Sequence, residues 1–163
     1  MAMALSLVAR CAWGAGSHAG GHEASAIGEP GKGAKVTRTV QIEMRDTMRF
    51  SPAQIAVKQG ETIRFVVRNS GKVKHELVLG TAKELEEHYE VMKKHPDMEH
   101  DDPNMVMVAP GGSGEVIWRF TKSGKVDFGC LQPGHYDAGM KGRVNVAATK
   151  AAAKGDSHAS HKH

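Results

Sequence analysis

Aromatic side chains are scarce in this chain of 163 residues, at 5%, and cysteine is nearly absent: only Cys11 and Cys130 occur. Long apolar runs are missing too. No segment approaches the ~18 uninterrupted apolar residues that a membrane-crossing helix needs, so no membrane span is expected. No basic run is interleaved with aromatics, and the formal charge of +4 is small and dispersed, which argues against nucleic acid as a partner. The length leaves no room for two catalytic domains and suits one domain with appendages, since compact cores occupy roughly 100–150 residues. What is present, 40% apolar and 25% charged residues, is the composition of an ordinary soluble protein, expected to be monomeric.

Residues 1–15, MAMALSLVARCAWGA, form an apolar, small-residue segment that gives way to the polar, glycine-rich GSHAGGHEASAIGEPGKG. That order reads as a secretory leader with its cleavage region and implies export to the periplasm; a disordered extension is the plainer alternative. Arg10 directly before Cys11 argues against a lipid anchor on that cysteine. Cleavage would leave Cys130 as the sole thiol in an oxidising compartment, where a free cysteine needs protection. Residues 16–35 and 147–163 are low in complexity and expected to be flexible. The folded domain is then about 36–146.

Within that domain VTRTVQIEM alternates like a half-buried strand, with Val36, Val40, Ile42 and Met44 at the recurring positions. QIAVKQGETIRFVVRNSGKVKHELVLG continues with strand-like runs broken at Gln59-Gly60 and Asn69-Ser70-Gly71. GEVIWRF and GKVDFGC read as another pair around Ser123-Gly124, and GRVNVA closes the domain. Many short strands separated by turn signals predict an all-β sandwich. Met48, Phe50, Phe65, Trp118, Phe120 and Phe128 are its expected core. One segment breaks the rhythm. TAKELEEHYEVMKKH opens with Thr81 and Glu84 in capping-box spacing and sets Leu85, Tyr89 and Met92 at helical intervals, which predicts a short helix near 82–95.

The chemistry gathers in FGCLQPGHYDAGMKG, residues 128–142, where Cys130, His135 and Met140 follow one another at intervals of five. Thiolate and thioether are soft ligands and imidazole is intermediate, so two histidines, one cysteine and a weak methionine suit electron-transfer copper. His75, at the start of the predicted strand KHELVLG, supplies the missing imidazole if a sandwich brings that strand end beside the loop. The expected metal ligands are therefore His75, Cys130, His135 and Met140. Gly134, Gly139 and Gly142 would let the backbone turn tightly around an ion, and Pro133 stiffens the approach.

The pattern MRFSPAQIAVKQGETIRFVVRNSG…KHE…GCLQPGHYDAGMKGRVNV resembles the cupredoxins, the type 1 copper proteins that include plastocyanin, azurin and pseudoazurin. The His-Glu pair after Lys74, the helical insert and the C-x4-H-x4-M loop are most similar to the periplasmic copper-tolerance cupredoxins of the CopI type. The resemblance implies a Greek-key β-sandwich with His75, Cys130 and His135 as equatorial ligands of one copper and Met140 axial. Glu76 stands where many small electron carriers of the family have Asn. Copper tolerance, by binding and redox-cycling Cu(I)/Cu(II), is the function implied. A small one-electron carrier shuttling between respiratory or other redox partners is the alternative. In either case the partners are the copper ion and transient redox or copper-transfer proteins.

Rival readings of the same residues are weaker. Structural zinc prefers more cysteines or histidines and binds methionine poorly. A cysteine nucleophile with His135 as base lacks an accompanying acid or oxyanion pattern. Gly129 and Leu131 flank Cys130, where multicopper oxidases commonly place histidines. The chain is thus not expected to be an enzyme, a weak cuprous-oxidase activity being the one exception left open. Elsewhere His88, Met92 and His95 share a predicted helix face, with Met98 and His100 in the loop PDMEHDDPN behind it. These five are candidate ligands of a second copper, against the favoured reading as packing and surface residues. His18 and His22, with His158, His161 and His163 in the tail, could chelate copper or stand solvated.

Overall fold

A computed structural model describes residues 24–98 and 100–149. The candidate leader, Cys11, His18, His22 and the tail histidines lie outside the described residues.

Among the described residues, ten strands form two five-stranded sheets. The first sheet contains β1 (Glu29–Pro30), β2 (Arg38–Arg45), β3 (Arg49–Ser51), β5 (Thr62–Asn69) and β8 (Ser113–Arg119), in the order β1-β8-β5-β2-β3. The second contains β4 (Gln54–Lys58), β6 (His75–Gly80), β7 (Met105–Val108), β9 (Gly124–Gly129) and β10 (Lys141–Ala147), in the order β4-β10-β9-β6-β7. Between β6 and β7 runs the helix α2 (Ala82–Lys94); a single helical turn, α1 (Ala24–Ile27), precedes β1. The strands make the all-β sandwich the sequence predicts, and the chain passes repeatedly from one sheet to the other, as in the Greek-key sandwich the resemblance implies.

Alternation builds the core. In β2 Ile42 and Met44 are buried, Gln41 and Arg45 beside them are exposed, and Val40 and Glu43 are half-buried, while Val36 falls before the strand as the cap of a 3-10 turn. Phe50 packs edge-on against Phe128, with centroids 5.1 Å apart, and Phe65 against Phe120 at 6.2 Å. The first pair bridges the two sheets, and in both aromatic edges meet faces favourably. Met48 is only half-buried, because it takes a positive φ of 58° in the tight turn between β2 and β3.

Two expectations change. The runs either side of Ser123-Gly124 do not pair: β8 and β9 belong to different sheets. Phe120 N–H donates to Glu61 O, and Gly60 N–H to Phe120 O, so the end of β8 stays with its own sheet while the chain crosses. The segment 16–35, expected to be flexible, docks at its described end. Ile27 is buried in the core, its carbonyl accepts from Trp118 Nε1 at 2.9 Å, and Glu29-Pro30 pairs with β8.

Strand β6 is buried along its whole length, which explains why HELVLG does not alternate. Leu77 and Leu79 enter the main core; Val78 faces the other way, into a second cluster beneath α2 with Leu85, Tyr89, Met92, Met105, Leu131 and Tyr136. Helix α2 begins as its sequence dictates. Thr81 accepts from Glu84 N–H and the Glu84 carboxylate accepts from Thr81 N–H, a complete capping box. His95 is its C-cap.

Candidate metal centre

The first residue of β6 and the loop between β9 and β10 meet at one end of the sandwich. His75 is fully buried there, as is Cys130, while His135 is half-buried. His75 Nδ1 lies 3.2 Å from His135 Nδ1, and Cys130 Sγ lies 3.3 Å from His135 Nδ1 and 3.9 Å from His75 Nδ1. One donor atom from each of the three residues falls within 4.8 Å of the others. Met140 is fully buried in the same core cluster as Cys130. Its backbone binds two of the three: Cys130 N–H donates to Met140 O and Met140 N–H to His135 O, both at 3.1 Å.

Three elements grip the loop from outside. From β6, the buried Glu76 carboxylate accepts from Leu131 N–H at 2.9 Å and from Gln132 Nε2 at 3.2 Å. From α2, the Tyr89 hydroxyl donates to Asp137 Oδ2 and accepts from Gly134 N–H, each at 2.9 Å. From β3, Arg49 Nη1 donates to Ala138 O at 2.8 Å. Gly134 and Gly139 take φ of 84° and 92°, as turns in a short loop require. Gly142 serves differently from the expected turn role. It lies in β10, and a Cβ there would come within 2.1 Å of the Phe128 ring, so its bareness makes room for the core.

Asp46 is the residue that sequence reasoning missed. Its Oδ1 lies 3.0 Å from His75 Nε2, and a carboxylate only accepts, so Nε2 carries the proton and Nδ1 presents its lone pair toward Cys130 and His135. The Lys72 N–H, at 2.7 Å, is the main cause holding the Asp46 carboxyl below its ordinary range. Nothing in the sequence marks Asp46, which sits 29 positions before His75 in an unremarkable turn. The Tyr89 hydroxyl was equally hidden, because spacing presented that residue only as an apolar helix position.

Burial sets the electrostatics. It pushes the Cys130 thiol up to about 12, helped by the nearby Glu76 and opposed by the Glu76 and Gln132 N–H groups aimed at sulfur. It also pushes the Glu76 carboxyl up, against the hydrogen bonds from Gln132 and Leu131, and holds the His135 imidazole below the ordinary histidine range, with His75 adding to the effect. A fully buried thiol so held is no nucleophile at neutral pH. A metal cation reverses the balance, because it stabilises the thiolate that burial alone disfavours. The donor set therefore fits copper: one sulfur, two imidazole nitrogens, that of His75 turned inward by the Asp46 hydrogen bond, and a buried methionine in the same cluster.

The second group of candidates divides. His88 Nε2 lies 3.1 Å from His100 Nε2, which lies 3.1 Å from Met92 Sδ. His95 is exposed, and Met98 packs against the cluster beneath α2.

A Greek-key sandwich that closes one end around a buried cysteine and two imidazoles defines the class of cupredoxins, which bind copper. The chain belongs to the plastocyanin/azurin family of copper binding proteins, whose model matches residues 36–147. Among characterised relatives it is 53% identical over 133 residues to the copper-resistant cuproprotein CopI of Rubrivivax gelatinosus, covering 80% of this chain and 81% of that one. It is 36% identical over 163 residues to CopI of Pseudomonas aeruginosa, covering 82% and 90%. Among solved structures, auracyanin B matches with a TM-score of 0.62 at 25% identity, over 74% of this chain and 96% of that one. The dithionite-reduced auracyanin of Roseiflexus castenholzii shares the fold, with a TM-score of 0.59 at 23% identity over 69% and 98%.

Proposed function

We propose that the protein serves copper tolerance outside the cytoplasm, holding one copper through His75 Nδ1, Cys130 Sγ and His135 Nδ1 with Met140 as a weak fourth ligand. The convergence of those three donor atoms carries this reading. Two copper-resistant cuproproteins that align over most of the chain support the tolerance role, and the apolar segment at 1–15 with Cys130 as the only thiol beyond it supports export. Copper bound there supplies one-electron exchange between Cu(I) and Cu(II), not turnover of an organic substrate.

The polypeptide's share is to keep the donors in place. Asp46 fixes the His75 tautomer, and Glu76, Tyr89 and Arg49 hold the loop that bears Cys130 and His135. Sheet and clamps together resist the geometric change that a new oxidation state would otherwise bring. Burial of His75, Cys130 and Met140 keeps water from the sulfur. His135 alone reaches the surface, and that exposure favours a second reading, an electron carrier docking weakly through its imidazole edge.

A strain lacking the gene and carrying Cys130→Ser tests the proposal. Copper-sensitive growth equal to that of the empty deletion, with full rescue by the unsubstituted gene, supports tolerance. Full rescue by Cys130→Ser overturns it. Rescue by His135→Ala, which removes another donor atom of the centre, would likewise count against tolerance through this site.

A further inference from the structure

We propose that α2 and the loop behind it form a second metal site, selective for Cu(I), from His88 Nε2, Met92 Sδ and His100 Nε2. Two imidazole nitrogens and a sulfur converge there as they do at the first centre. The nitrogens are 3.1 Å apart against 3.2 Å between His75 and His135, and the sulfur is 3.1 Å from one of them against 3.3 Å for Cys130. The thioether replaces the thiol, and that replacement decides the ion. These three neutral donors do nothing to offset the ion's own charge, which in a partly dry site penalises a divalent ion more than Cu(I). A thioether is soft and selects Cu(I), whereas Zn(II) binds methionine poorly and commonly takes four ligands.

The site is also built rather than accidental. His88 and Met92 are four apart on one helical face, so their side chains stack on the same side. Met92 is fully buried among the residues that anchor α2, which holds its sulfur in place, while His88 and His100 are half-buried and give the ion a way in. The chain turns at His95–Met98, where Met98 N–H donates to His95 O at 3.0 Å, and His100 lies against His88 and Met92 of the helix. The rings of His88 and His100 meet edge to face at 4.6 Å, leaving both Nε2 atoms turned toward each other.

Methionine methyl spectra of the full chain, labelled with carbon-13 and titrated without oxygen with the acetonitrile complex of Cu(I), separate the two sites. Met92→Leu and Met140→Leu assign the two signals. The Met140 methyl is expected to shift as one equivalent binds and the Met92 methyl as another. In the His88→Gln/His100→Gln chain the Met92 methyl should stay within its linewidth while Met140 still responds, which also shows that this variant folds. A Met92 signal that stays put in the unsubstituted chain overturns the second site, whatever Met140 does. So does a Met92 response that survives both substitutions. A response at Met92 without one at Met140 would uphold this site and remove only Met140 from the first.

Discussion

Asp46 touches no candidate ligand atom, yet it decides which nitrogen of His75 faces the centre. Carboxylates that orient a ligating imidazole from behind are typically worth ~10–100-fold in metal affinity. Asp46→Asn is accordingly expected to weaken copper binding by about that factor, measured by competition with a chelator. Its carbonyl can still accept from Lys72 N–H, so the circular dichroism of the metal-free chain should not change. Glu76 works by a different route. It is the buried acceptor for Leu131 N–H and Gln132 Nε2, and Glu76→Ala strands both donors away from water. A stranded buried group costs about 1–3 kcal/mol, so a loss of roughly 3 kcal/mol in denaturant unfolding is expected.

At the scale of elements, α2 reaches the ligand loop through one hydroxyl. Tyr89→Phe keeps the ring in the cluster beneath the helix and removes only the bridge between Asp137 and Gly134. About 1–2 kcal/mol of stability should go with it, and amide exchange at Gly134 should quicken more than exchange in β9 or β10. An equal quickening everywhere would mean the hydroxyl supports the fold at large and not the loop. In β10 the constraint is steric. Gly142→Ala drives a methyl into the Phe128 ring at 2.1 Å, with the Ala53 carbonyl at 2.8 Å on the other side. Overpacking of a tight core costs about 1–3 kcal/mol, so the melting temperature should fall although the change adds a single carbon.

For the whole molecule, copper and fold are linked through mass action. The donors come from β6 and from the β9–β10 loop, 55 residues apart in the case of His75 and Cys130, so the unfolded chain offers no such set. Copper at a thousandfold excess over its dissociation constant should add about 4 kcal/mol of stability. That corresponds to a rise on the order of 10 °C in melting temperature for a domain of this size. Calorimetry of the chain before and after removal of copper by a chelator checks it; equal melting temperatures would mean that no folded-state site is being filled.

The strands, the helix from Ala82 and its Thr81–Glu84 cap were legible because each rests on local chemistry: alternation, turn residues, and a side chain three positions from its partner. Cys130, His135 and Met140 were legible because one loop carries them all. Asp46, the hydroxyl of Tyr89 and the separation of β8 from β9 were not, since each depends on which surfaces meet after the sheets have stacked. Among His88, Met92, His95, Met98 and His100, spacing offered five candidates, and only the turn of the loop over the helix brought three donor atoms together. Sequence alone determined the kinds of donor and the elements that bear them. Tertiary structure decided which donors converge, which nitrogen is free and how far burial raises the thiol, because distance and desolvation arise only when remote segments pack.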